Sequence, residues 1–237
     1  MESTDLMALA AALVFAGVHL VSPWLMFLDV TPRSAWLSIS GGVATAYVFL
    51  HLLPELAGAQ ADHLGGAAGL PGARDVWLMA MAGLSLSYAF ERMARVNPTG
   101  RGAPWSIYGL HLGSFAVYNA LIGYVIDEQA RRGLVSLALY TFALGLHYVV
   151  NDRALVRKHG DRYRRSGRFI LAAAPIAGWA LGAFVFVEHR YVALLTALLA
   201  GGIILNTVKE ELPKERESNV WAFLGGVAAY GALLLVV

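Results

Sequence analysis

Two stretches of the sequence carry side chains able to bind a cation or move a proton inside otherwise apolar surroundings. In the first, His111, Ser114, Phe115 and Tyr118 repeat at i, i+3, i+4 and i+7, with Asn119 at the margin of the same helical stripe. In the second, Tyr140, Leu144, His147 and Asn151 repeat in the same way, and Asp152 stands beside the last. Imidazole nitrogen together with carboxylate oxygen suits zinc, iron, nickel or manganese. The same groups also serve as interhelical hydrogen-bonding partners, so both uses stay open. A third polar group, His51, Pro54 and Glu55, closes the apolar run "YVFLHLLPEL".

The elements that carry these residues follow from composition. Hydrophobic residues make up 58% of the chain, charged residues only 14%, and the mean hydropathy is +0.59, which places the chain among integral membrane proteins. Eight apolar runs have the length of a membrane-crossing helix, about 20 residues. They cover residues 6–28, 35–56, 76–95, 104–126, 134–155, 169–187, 191–209 and 220–237. None alternates with the two-residue period of a barrel strand, so the expected fold is an all-α, polytopic membrane protein in one transmembrane domain, 1–237. The first run follows Glu2 and Asp5 rather than a basic segment and is expected to be a helix, not a cleaved signal.

Charge sets the expected orientation. With the amino terminus outside, Arg74, Arg131, Arg132 and Arg190 fall outside, and the other fourteen of the eighteen Lys and Arg residues are cytoplasmic. Both termini are therefore expected outside, in a plasma (inner) membrane. The loop "NDRALVRKHGDRYRRSGR" is the most basic segment and reads as an anchor at the anionic leaflet. Membrane lipid is thus an expected partner. With a single aromatic residue and a membrane beside it, this loop gives no reason to expect nucleic acid.

The chain has no cysteine, which excludes disulfides, thiolate metal sites and cysteine nucleophiles. No phosphate loop, G-x-S-x-G elbow or H-E-x-x-H pair is present, so the expectation is a non-enzyme. Counting from the expected cytoplasmic ends of the fourth and fifth helices puts His111 and His147 about 10 and 12 Å deep, at one level. His19 finds no partner by this count, and Glu91 is expected in a surface ion pair beside Arg92 and Arg95.

Two segments look like copies: "GGVATAYVFLHLLPEL" in the second helix and "GGIILNTVKEELPKE" in the seventh. They point in opposite directions through the membrane, the sign of an inverted repeat relating helices one to three with six to eight. Glycine pairs at these positions also allow close helix packing and a homodimer.

Taken together, these segments resemble the ZIP family of divalent-metal transporters. The resemblance rests on the eight-helix plan, on "HLLPE", on Glu91, on "ALIGY" from Ala120 to Tyr124, and on "LLAGGIILNTVKEELP". It implies a 3+2+3 arrangement and a divalent cation, zinc foremost, as the transported species. The family's fourth helix carries His-Asn-x-x-Asp-Gly where this chain has Ser114, Phe115, Tyr118 and Asn119. Its fifth carries His-Glu-x-Pro-Glu-Gly against "HYVVND", so His147 matches while Asn151 replaces a glutamate and Asp152 a glycine. The resemblance implies an altered central site. His147, Asp152, Asn151 and His111 are its candidate metal ligands, and His51 with Glu55 an outer access point. The alternative is a non-transporting scaffold derived from the same fold.

Overall fold

A computed structural model describes residues 3–25, 35–64, 74–96, 104–185, 188–211 and 219–236. These form eight helices. Helix α1 is Ser3–Val21, followed by the 3₁₀ turn Ser22–Trp24; α2 covers 35–64 and α3 is Asp75–Val96. Then come α4, Pro104–Arg131, and α5, Leu134–His159. Helix α6 is Arg168–Phe184 behind the wide turn Tyr163–Gly167, α7 covers 189–211, and α8 is Val220–Val236. The turn between α4 and α5 needs a residue at φ 109°, supplied by Gly133.

Five helices are long and apolar enough to cross a membrane: α1, α2, α5, α6 and α7. Helix α8 is apolar over its 17 described residues. Large apolar side chains such as Leu13, Val14, Leu78, Met81, Phe142 and Leu181 face outward, whereas His19, Asn119, His147, Asn151, Asp152 and Arg153 are buried. Apolar outside and polar inside is the distribution a hydrocarbon solvent selects, and it is consistent with an integral membrane protein.

Glycines set the closest helix contacts. A Cβ added at Gly42 of α2 would overlap the Phe223 carbonyl of α8, and one at Gly226 would overlap the Ile39 carbonyl. Helices α3 and α7 meet in the same way, Gly83 against Leu198 and Gly201 against Ala80. Helices α4 and α6 meet at Gly123 against Pro175 and Gly178 against Ala120. Gly42 and Gly201, from the glycine pairs of the two similar segments, and Gly226 are thus used in close helix packing inside the chain.

Helix α5 runs through the middle. Every residue from Val150 to Val156 is buried, so this turn is surrounded on all sides. Helix α1 packs on α4, α5 and α6, and α2 packs on α5 as well as α8.

Helix α2 departs from expectation. Pro54 was expected in its final turn near Leu56, yet the helix continues to Leu64. Proline has no N–H for the carbonyl four residues back, and its ring crowds that carbonyl. The turn Val48–Leu52 widens to absorb this, with the Leu53 N–H bonding the Val48 carbonyl five residues earlier. A second wide turn, Thr207–Glu211, closes α7. Pro213 follows Thr207 by the same interval that separates Pro54 from Val48, although Pro213 itself lies outside the described residues.

Candidate functional site

The central polar residues form two hydrogen-bonded groups. Nδ1 of His19 on α1 lies 3.0 Å from each carboxylate oxygen of Asp152 on α5. Its Nε2 lies 3.0 Å from Nδ2 of Asn119 on α4. With the amide nitrogen facing Nε2, the ring is the Nδ1–H tautomer: it donates to Asp152 and accepts from Asn119. Tyr148 packs against the imidazole at a tilt of 31°, ring centroids 4.6 Å apart. The second group is local to α5, where Asn151 Nδ2 donates to Nε2 of His147 across 2.9 Å.

His147 and Asp152, expected to share a ligand set, therefore point apart. Five residues along a helix rotate a side chain by about 140°. Asp152 faces α1, while His147 turns toward Tyr118 of α4, with ring centroids 6.5 Å apart. His111 lies on α4, but its side chain is outside the described residues, as are those of His63 and His189.

His19 is the correction to the depth count. The expected helix ends, Leu28 and Leu155, put His19 about 13 Å and Asp152 about 5 Å from the cytoplasmic side. The observed ends differ: α1 gives way to the 3₁₀ turn Ser22–Trp24, with Pro23 inside it, and α5 continues to His159. From these ends the two residues lie about 8 and 10 Å deep, one level. The signal was available in Pro23, a residue that stops a helix, and in an in-span carboxylate that needs a donor from somewhere.

A further polar cluster contains His51 and Glu55, which the structure does bring together. His51 Nε2 is 3.8 Å from Glu55 Oε2, and Arg132 sits 2.7 Å from Glu55 Oε1. Gln129 accepts from Ser136 at 3.3 Å and faces Glu55 at 3.5 Å, so α2, α4 and α5 are tied at this end. Toward the other end, Glu91 of α3 takes Lys158 of α5 at 3.0 Å and Lys209 of α7 at 2.7 Å. Glu91 thus bridges three helices; of the arginines expected beside it, the side chain of Arg95 lies outside the described residues.

Two cavities lie along α4. One, of about 160 Å³, is lined by Ser87 and Glu91 of α3, Ser114 and Tyr118 of α4, and Leu199 and Asn206 of α7. The other, of about 30 Å³, is lined by Tyr47 and Glu55 of α2, Glu128 and Gln129 of α4, Tyr140 of α5, and Thr196 and Leu199 of α7. The first touches α4 between Ser114 and Leu121, the second between Ile122 and Gln129. Leu199 is a wall of both.

Among the described residues, no three His, Asp or Glu side chains are grouped so as to hold a metal ion. The His19–Asp152–Asn119 group can fasten α1, α4 and α5 together. No protein-family model and no curated protein sequence matches the chain.

Proposed function

We propose that the chain is a ZIP-like permease for a divalent cation, with an altered central site and its path along α4. One observation carries the reading: two cavities on opposite halves of α4, each with a glutamate in its lining, share Leu199 as a lining residue. A path through both would pass this apolar side chain.

The 3+2+3 arrangement with an inverted repeat belongs to the same proposal. Exchanging helices one to three with six to eight maps the α2–α8 contact onto α7–α3, and both are close glycine packings. It also maps the wide turn before Pro54 onto the one before Pro213. Eight spans, both termini outside, and an inner-membrane location follow from the positive-inside count. Zinc is the first cation to try; the linings offer it Glu91 in one cavity and Glu55 in the other, while His147 with Asn151, and His51 beside Glu55, stand outside them. The reading is of a transporter rather than an enzyme.

A second reading has its own support. Both ring nitrogens of His19 and Nε2 of His147 are engaged by Asn or Asp, and Glu55 and Glu91 are engaged by Arg or Lys. A non-transporting scaffold would hold its polar groups in this way. Liposomes containing the purified protein separate the two. Uptake of zinc, manganese, iron, cobalt or cadmium above protein-free liposomes is expected of the permease; impermeability to all five leaves the scaffold.

A further inference from the structure

The corner between α5 and α6 concentrates positive charge. Arg157, Lys158, Arg162, Arg164, Arg165 and Arg168 fall within twelve residues, and Asp161 is the one acidic residue among them. Gly160, at φ 52°, turns the chain there, and the wide turn Tyr163–Gly167 presents Arg164 and Arg168 four residues apart at the head of α6. Arg157, Arg162 and Arg165 are exposed, while Arg164 and Arg168 are half-buried. The Nε atoms of Arg164 and Arg168 are buried, and neither has a hydrogen-bond partner among the described residues.

What lies beside the Arg168 guanidinium is apolar. The Arg168 guanidinium sits 4.6 Å from the Phe169 ring centroid and 5.6 Å from that of Trp24 at the end of α1. Both rings are exposed, and the exposed face continues down α6 through Ile170, Ala173, Ala177, Leu181 and Phe184. This stripe is about 22 Å long, the reach of an extended acyl chain. A part-exposed cationic head above an apolar stripe has the shape and polarity of a bound amphiphile in negative.

We propose that this corner is a binding site for an anionic phospholipid, its phosphate held by Arg164 and Arg168 and one acyl chain laid along α6. Guanidinium suits the task because its planar fork can give two parallel hydrogen bonds to a phosphate. The apolar stripe selects lipid over free phosphate. The site is independent of whether the chain transports anything, because it lies at the helix ends and shares no lining residue with either cavity.

The test is thermal unfolding in a neutral detergent with added phosphatidylglycerol, phosphatidylcholine or inorganic phosphate. Phosphatidylglycerol should raise the midpoint by roughly 2–4 °C, the shift about one extra interaction produces in a chain of this size, and the other two should not. Arg164→Gln/Arg168→Gln should lose the shift, and Arg190→Gln, at the far end of the bundle, should keep it. If the double variant does not fold, Arg164→Gln and Arg168→Gln singly should each reduce it. An equal shift in the variants, an equal shift with inorganic phosphate, or none with phosphatidylglycerol would overturn the proposal.

Discussion

Nδ1 of His19 and the carboxylate of Asp152 stand 133 residues apart in sequence and 3.0 Å apart in space, both buried. This contact links α1 to the central helix and, through Asn119, to α4. It gives the Asp152 carboxylate a donor inside the bundle, without which its burial would be strongly unfavourable. Polar groups here are structural first, and any solute path has to run beside them.

Removing His19 alone should therefore cost more than an ordinary interhelical hydrogen bond. Such bonds contribute about 0.6 kcal/mol in membrane bundles. Leaving a buried carboxylate with only the Tyr163 hydroxyl beside it costs more than that, so His19→Ala should destabilise by about 2–4 kcal/mol. Adding Asp152→Ala to His19→Ala should then cost less than Asp152→Ala does alone, since its partner is already gone. Reversible unfolding in mixed micelles measures the cycle; simple additivity would show that the contact is not the stabilising element described.

Glycine contacts give an independent check of the helix pairing. Gly178→Ala places a methyl group against the Ala120 backbone, which cannot turn aside as a side chain can, and should cost about 1–3 kcal/mol. Gly225→Ala meets open space and should change stability by no more than about 1 kcal/mol, in the stabilising direction, because alanine is the better helix former. Equal effects at the two positions would contradict the α4–α6 crossing.

Much of this arrangement is legible from residue type and spacing. Apolar run length and the polar stripe containing His147 mark α5 as a helix with something to hide, and the structure surrounds it from Val150 to Val156. What the sequence hides is rotation and extent. His147 and Asn151 are one turn apart and do meet, but Asp152, the very next residue, faces another helix. Pro54 reads as an end, yet a five-residue hydrogen bond absorbs it and α2 continues. Glu91 reads as paired with neighbouring arginines, but its bridging partners, Lys158 and Lys209, come from helices that only the fold brings near. Local spacing fixes which residues share a stripe, whereas the partner of that stripe depends on helix ends that a misjudged proline can shift by a turn or two.

The Glu91 bridge should behave asymmetrically. Its carboxylate is 10% exposed, against 32% for Lys158, and it holds two ammonium groups apart. Glu91→Gln leaves both ammonium groups facing an amide and should cost about 1–3 kcal/mol. Lys158→Met removes one solvent-screened partner and leaves Lys209 in place, so its cost should stay within about 1 kcal/mol. Thermal unfolding of the two variants side by side is sufficient, and a larger loss for Lys158→Met would show that Glu91 is not the hub.

Leu199 tests the path itself, because it lines both cavities. Leu199→Ala deletes that wall and should let them merge, raising zinc or manganese flux into liposomes by about tenfold if the barrier falls by about 1.4 kcal/mol. Leu199→Trp should fill the junction and abolish flux. Truncation of a buried leucine also lowers stability by about 2–5 kcal/mol, so both variants must first run as single species of the same size as the parent. If Leu199→Ala is well folded and no leakier than the parent, the two cavities are packing defects rather than halves of one path, and the polar groups beside them serve only to hold the helices together.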